Sequence, residues 1–393
     1  MSGRFDWLER ELDNLRSRSL YRQFVGVEHA ADGHMIRNGR SLLNLSSNDY
    51  LGLAGGQTPE QFKKNSVSDP RLTGATASRL VVGSDEFVLQ FERDFAAFKK
   101  QEACVLFGSG YMANVGMLSA LIGRDDVVFS DRLNHASIVD GLILSRADVK
   151  RYAHRDLDQL EKQLKNAAPG KRKFIVTDTV FSMDGTIAPM HDLVTLKERY
   201  SALLIVDEAH SGGIYGERGE GLAAALDLSQ AVDVHMGTFS KAYGAYGAYV
   251  AGDRIMVDWL INRARSLIYT TALPPMLVRQ VAANWQTAVA EGWRREQLLA
   301  NSARFRKQLA VAGLQLNGSE SQIVPVIVGD NETALRMAKV LDDRGIAAVA
   351  IRPPTVPDGT ARLRFSLMAT QTEQQLDTAA TTIIETAKEL GIV

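Results

Sequence analysis

The stretch ALLIVDEAHSGG, Ala202 to Gly213, decides how this chain folds. Ala202 to Val206 are apolar without a break, so they lack the alternation of a strand with one face in water. A strand made of them is buried on both faces. Asp207 then ends the run, and the glycines that follow are turn formers. Working outward, the same kind of short run appears at Cys104 (CVLF), Val127 (VVF), Phe174 (FIVTD) and Val234 (VHMGTF). Helical patterns separate these runs from about residue 86 to residue 250. Strands of this kind alternating with helices predict an α/β fold, with a mainly parallel sheet covered on both faces.

On the N-terminal side, Leu42 to Leu45 reads as a short strand entering the loop SSNDYLGLA, and Phe5, Leu8, Leu12 and Leu15 recur at helical spacing. That spacing predicts an opening amphipathic helix that packs on another surface. Beyond Thr270 to Met276 (TTALPPM) comes a long helical stretch with Val278, Val281, Trp285 and Val289 on one face. Strands (QIVPVIVG, AAVAIRPP, ARLRFSL) then alternate with helices, the pattern of a small terminal α/β domain. The expected organisation is an N-terminal helix with short strands over 1–45, a large domain over 46–275 and a small α/β domain over 276–393.

Across 393 residues, 45 Lys and Arg balance 46 Asp and Glu, giving a formal net charge of -1. There is no general attraction for nucleic acid or an anionic membrane, so anionic ligands must be held by local features. Cys104 is the sole cysteine. That excludes an internal disulfide and a thiolate metal cluster, and fits a reducing compartment. The start, MSGRFDWLERELDNL, is charged, and no stretch is apolar for the roughly 18 residues of a membrane span. The expectation is a cytoplasmic protein with no bound metal.

Four local patterns fall where strands of the large domain should end, which is where open α/β sheets bind ligands. In FGSGYMAN, Phe107 to Asn114, glycines lead from a strand into a helix. Gly110 and Tyr111 can there offer backbone N–H groups to a phosphate, although a plain strand–helix turn reads the same way. Gly108, Gly110 and Ala113 also satisfy the loose G-x-G-x-x-A fingerprint of dinucleotide-binding oxidoreductases. In DRLNHASIVDG, His135 is ordinarily a helix cap or a surface group, and gains meaning only if other groups converge on it.

In IVDEAHSGG, Asp207 ends a buried strand and needs a cation or several donors, with His210 three positions on. DEAH also names a helicase motif, but the chain has no G-x-x-x-x-G-K-[ST] phosphate loop. In GTFSKAYGAYG, Lys241 is flanked by the hydroxyls of Thr238 and Ser240. Taken alone, Lys241 is a surface lysine. Taken in order along one sheet, the four supply an anion loop, an aromatic ring to stack, a strand-end carboxylate for a pyridinium nitrogen and an amine for an aldehyde. Those needs belong to one molecule, pyridoxal phosphate.

With SSNDYLGLA, FSMDG, VDEAH, TFSKAYG and IRPPTVPDGTARLR in this order, the chain resembles the α-oxoamine synthases nearly end to end. These are a branch of the fold-type-I pyridoxal phosphate enzymes. The resemblance implies a large domain with a mainly parallel sheet of seven strands, a small C-terminal domain and a homodimer. It implies an acyltransferase that condenses a small amino acid with an acyl thioester of coenzyme A or acyl-carrier protein. SNDYLGL and AIRPPTVPDGTARLR favour the branch using alanine and a pimeloyl thioester over its glycine-using relatives.

Position by position, the resemblance implies Lys241 as the Schiff-base lysine, Asp207 on the pyridine nitrogen and His135 stacked on the ring and near the reacting carbonyl. It puts Ser182 and His210 near the ring hydroxyl, Thr238 on the phosphate, and Gly110 with Tyr111 as backbone donors. Arg352 would bind the amino acid's carboxylate with Thr355 beside it, Arg22 would belong to the substrate site, and Thr270 and Thr271 are candidates for reaching the neighbouring subunit's phosphate. Two positions depart from the pattern: Val88 and Gln371 stand where histidines are common. A nicotinamide-dependent oxidoreductase built on the Gly108 fingerprint leaves Lys241, His210 and Ser182 unexplained. A cofactor-binding regulator lacks any DNA-binding segment or basic patch.

Overall fold

The computed structural model describes residues 4–30, 32–55 and 73–393. By contacts the chain divides into two compact units. One comprises residues 1–48, 183–186 and 297–393, and the other residues 49–182 and 187–296.

In the first unit, β1 (Glu28–His29), β2 (His34–Arg37) and β3 (Arg40–Asn44) form an antiparallel ribbon. The helix Asp6–Ser17 precedes it as the spacing predicts, but none of its residues is buried. The apolar side chains of Phe5, Leu8, Leu12 and Leu15 all stay exposed.

The second unit is built on β4 (Ala103–Phe107), β5 (Val127–Asp131), β6 (Asp148–Tyr152), β7 (Lys173–Asp178), β8 (Ala202–Asp207), β9 (Val234–Thr238) and β10 (Ala248–Gly252). They form one seven-stranded sheet in the order β4-β10-β9-β8-β7-β5-β6. All pairings are parallel except those of β10, which runs antiparallel between β4 and β9. Two apolar cores explain the run at Ala202 except at Leu203, which stays exposed. Ile205, Val128, Phe174 and Val176 enter one, while Leu204, Val206, Phe129 and Ile175 enter the other. Because the sheet is covered on both faces, alternate residues are apolar for opposite neighbours.

Two strands have no counterpart among the apolar runs. The sequence DVKRY of β6 lies at a sheet edge, where only Tyr152 is buried. AYVAG of β10 is rich in small residues, because Gly252 abuts the Asp233 carbonyl and neighbouring strands approach closely.

The remaining strands return to the first unit. β11 (Ile323–Gly329), β13 (Val349–Ile351) and β14 (Ala361–Ser366) form an antiparallel sheet in the order β11-β14-β13. β12 (Ile346–Ala347) pairs in parallel with β3. No described helix is long and apolar enough to cross a membrane.

Candidate active site

Asp178, Asp207 and Thr238 are the last residues of β7, β8 and β9, with Asp178 registered directly opposite Asp207. A cavity of about 190 Å³ opens at these strand ends. Gly110, Tyr111, His135, Asp207, His210, Thr238 and Lys241 all line it, together with Asn114, Asp178 and Ser240.

One end is suited to an anion. The helix Gly110–Leu121 starts here, its N-cap Ser109 accepting from the Met112 amide. The amides of Gly110 and Tyr111 lie in the first turn, where no acceptor exists within the helix, and the helix dipole adds positive character. Thr238 Oγ1 lies 2.7 Å from Ser240 Oγ and donates to the Gly247 carbonyl at 2.9 Å. A Cβ on Gly110 would sit 3.8 Å from the Thr238 Cβ, so loop and strand end are close neighbours. The Tyr111 hydroxyl turns to Asp140.

At the other end Asp207 is 4% exposed. Its carboxylate accepts from Asn114 Nδ2 at 2.9 Å and from the Ala209 amide at 2.8 Å. A carboxylate has about four acceptor positions and two are filled here, so Asp207 keeps capacity for a further donor from the cavity. Beside it, burial first and the Asp207 charge second hold the Asp178 carboxyl well above the usual carboxylate range. Asp178 Oδ2 accepts from the His135 amide at 2.8 Å.

His135 caps the helix Ala136–Ser145 by accepting from the Ser137 amide, and it is one of the residues lining the cavity. Burial pushes its imidazole below the ordinary value; the Asp207 charge opposes this and the Lys241 cation reinforces it.

Lys241 Nζ lies 2.9 Å from His210 Nε2, and His210 Nδ1 lies 2.7 Å from the hydroxyl of Tyr50. Tyr50 was not singled out from the sequence, since its partner is 160 residues away. Asp178 and Asn114 were missed for the same reason, although the end of FIVTD marks Asp178 as a strand-end carboxylate.

The other expected residues lie elsewhere. Ser182 sits in the turn after β7 and is not among the residues lining this cavity. Thr270 and Thr271 line a separate cleft of about 20 Å³ with Arg79, Gly108 and Val88. In the first unit, Arg22 Nη2 donates to Thr355 Oγ1 at 3.3 Å, and Arg352 Nη1 donates to the Ser19 carbonyl. Burial and the neighbouring Arg22 charge both lower the Arg352 pKa. Among the described residues neither guanidinium forms an ion pair with a carboxylate. Gln371 is fully buried and donates to the Asn44 carbonyl at 2.9 Å, a structural position.

Residues 40–383 match the family described as Aminotransferase class I and II. The chain belongs to that family. It is 51% identical to a Bacillus cereus (strain Q1) protein named "Putative 8-amino-7-oxononanoate synthase", over 97% of both chains. A serine palmitoyltransferase of S. paucimobilis, solved with bound pyridoxal phosphate and myriocin, superposes with a TM-score of 0.91 at 28% identity, covering 99% of this chain and 98% of that one. The 8-amino-7-oxononanoate synthase of Francisella tularensis gives 0.75 at 30% identity, covering 88% and 98%. The chain is therefore a fold-type-I transferase of the acyltransferase kind, and its cofactor is pyridoxal phosphate.

The cavity fits that cofactor on its own chemistry. First-turn amides suit a phosphate, with the Thr238 and Ser240 hydroxyls close by, and His135 offers a flat ring. Asp207 has an acceptor position left for a ring N–H, and Lys241 brings an amine. That donor set, at the mouth of one cavity, matches the parts of a single pyridoxal phosphate.

Proposed function

We propose that this family member joins L-alanine to a pimeloyl thioester, of coenzyme A or acyl-carrier protein, giving 8-amino-7-oxononanoate, free thiol and carbon dioxide, a step of biotin synthesis. The observation that carries this reading is the match over 97% of both chains to a relative of that printed name.

Pyridoxal phosphate, when bound, supplies an aldehyde for an amine and a ring that spreads the electron pair left on the amino acid's α-carbon. In this reading Lys241 carries the cofactor, and its freed amine takes the α-proton at Nζ as general base. Asp207 holds the proton on the ring nitrogen, oriented by Asn114 and the Ala209 amide. His135 stacks on the ring and polarises the incoming thioester carbonyl, being held neutral by burial. Gly110, Tyr111 and Thr238 bind phosphate, and Ser182 and His210 serve the ring hydroxyl. Arg352, with Thr355 and Arg22, takes the amino acid's carboxylate. A cytoplasmic homodimer in which Thr270 and Thr271 reach the neighbouring phosphate completes the reading.

The test is a matrix of alanine, glycine and serine against acetyl-, succinyl-, pimeloyl- and palmitoyl-CoA, following thiol release. Release with alanine and pimeloyl-CoA alone is the expected result. Product only with glycine, or only with serine and palmitoyl-CoA, overturns the substrate assignment. Lys241→Ala should abolish both product and the borohydride-reducible imine, and a variant retaining either removes Lys241 from its role.

A further inference from the structure

We propose that Tyr50 is a positioning residue that sets, through His210, whether Lys241 holds its proton. Tyr50 is fully buried. It is fixed by the turn around Asp49, whose carboxylate accepts from the amides of Leu53 at 2.8 Å and Ala54 at 3.1 Å. Its hydroxyl lies 2.7 Å from His210 Nδ1, and His210 Nε2 lies 2.9 Å from Lys241 Nζ. His210 itself is held by the loop after β8, where the amides of Ser211 and Gly212 donate to the Glu208 carbonyl.

The three groups form a chain with two hydrogen-bond orders. An ammonium at Lys241 only donates, so Nε2 must accept, Nδ1 carries the imidazole proton, and the Tyr50 oxygen accepts it. A neutral amine at Lys241 can accept from Nε2–H, and Nδ1 then accepts the Tyr50 hydroxyl proton. The two orders differ by one proton in all, and the histidine changes tautomer between them. A phenol satisfies both orders because it donates and accepts.

A phenylalanine at residue 50 leaves Nδ1 unpartnered by residue 50 in either order. A buried N–H that loses its phenol acceptor is set back more than a nitrogen lone pair that loses a donor. The histidine then keeps Nε2–H, which favours neutral Lys241. Among the described residues, the other titratable groups lining the cavity with Lys241 are His135, Asp178 and Asp207, while the Tyr111 hydroxyl turns to Asp140. They are the same in both proteins, so the difference isolates Tyr50.

The importance of this device rests on the proposed role of Lys241, but the hydrogen-bond chain does not. In the full-length protein freed of cofactor, the rate of Lys241 acetylation by acetic anhydride is followed against pH by mass spectrometry. Tyr50→Phe should lower the half-maximal pH by about 0.5 to 1, a three- to tenfold fall in proton affinity. In the loaded protein the pH midpoint of the visible absorbance should also move, with circular dichroism and bound cofactor unchanged. Acetylation midpoints agreeing within about 0.2 pH overturn the proposal.

The unsubstituted protein supplies a second measurement. Isotope-labelled histidine nitrogen resonances, assigned with His210→Gln, should show His210 changing tautomer over the pH range in which Lys241 titrates. A His210 fixed in one tautomer overturns the proposal. A protein that binds no cofactor at Lys241 instead overturns the proposed function, and the acetylation assay still decides Tyr50.

Discussion

Lys99→Met removes the cation beneath the loop that carries Asp207 and His210. Lys99 follows the helix Glu86–Phe98 and is 2% exposed, and its Nζ lies 2.5 Å from Glu208 Oε2. Glu208 is fully buried and also accepts from the Ala223 amide at 3.2 Å, with His235 Nδ1 at 3.2 Å. Burial alone would raise its carboxyl pKa, but Lys99 first and His235 second overcome that and bring it from 4.5 to about 2. At about 1.4 kcal/mol per pKa unit, that difference is worth about 3 kcal/mol.

The folded pKa is the depressed one. The stabilisation is therefore complete above about 4.5, the unfolded value, and is lost as pH falls toward 2. Removing one partner of a buried pair costs about 3–5 kcal/mol, because the other charge stays behind. Urea denaturation at fixed protein concentration should show that loss at pH 7, and at about pH 3.5 the gap should be about 1 kcal/mol smaller. Lys99→Met/Glu208→Gln should recover part of it. A loss under about 1 kcal/mol at pH 7, or a gap that ignores pH, refutes the reasoning.

Asn114→Ala takes a 2.9 Å hydrogen bond from Asp207, and cofactor affinity, measured by absorbance on dilution, should fall about tenfold; unchanged affinity removes Asn114 from the site. For His135 the lowered folded pKa means that the unfolded chain binds the proton first, so its contribution to stability is present above about 6.5 and fades as pH falls below it. Nuclear magnetic resonance should place its midpoint below that of a free imidazole, and a midpoint at or above it contradicts the burial argument. Arg352→Lys should raise KM for the amino acid at least about tenfold with a smaller effect on kcat, since an ammonium lacks the two-pronged geometry; an unchanged KM counts against Arg352.

The sheet was legible wherever burial on both faces made an unbroken apolar run, as at Leu204 to Val206 and Phe174 to Val176. It was illegible at Asp148 to Tyr152, where an edge strand needs no apolar face. The position of β10 between β4 and β9 leaves no local mark, nor does the pairing of Ile346 with Leu43. In the site, Asp207, His210 and Lys241 stood out because each breaks a local pattern: a carboxylate ending a buried strand, a histidine in a glycine turn, a lysine among hydroxyls. Tyr50 breaks none. A tyrosine in a turn is ordinary, and only the folded chain shows that its hydroxyl meets His210.

The antiparallel placement of β10 has a consequence for how the molecule comes into being. Ala248 is registered against both Phe107 and Thr238, and β4 is joined to the sheet through β10 alone. Until β10 is made, the glycine loop after Phe107 has no strand tying it to Thr238. Closing that link spans some 140 residues of chain, a contact of the kind that forms slowly. In a growing chain β5 to β9 are thus made before the strand that ties the glycine loop to Thr238.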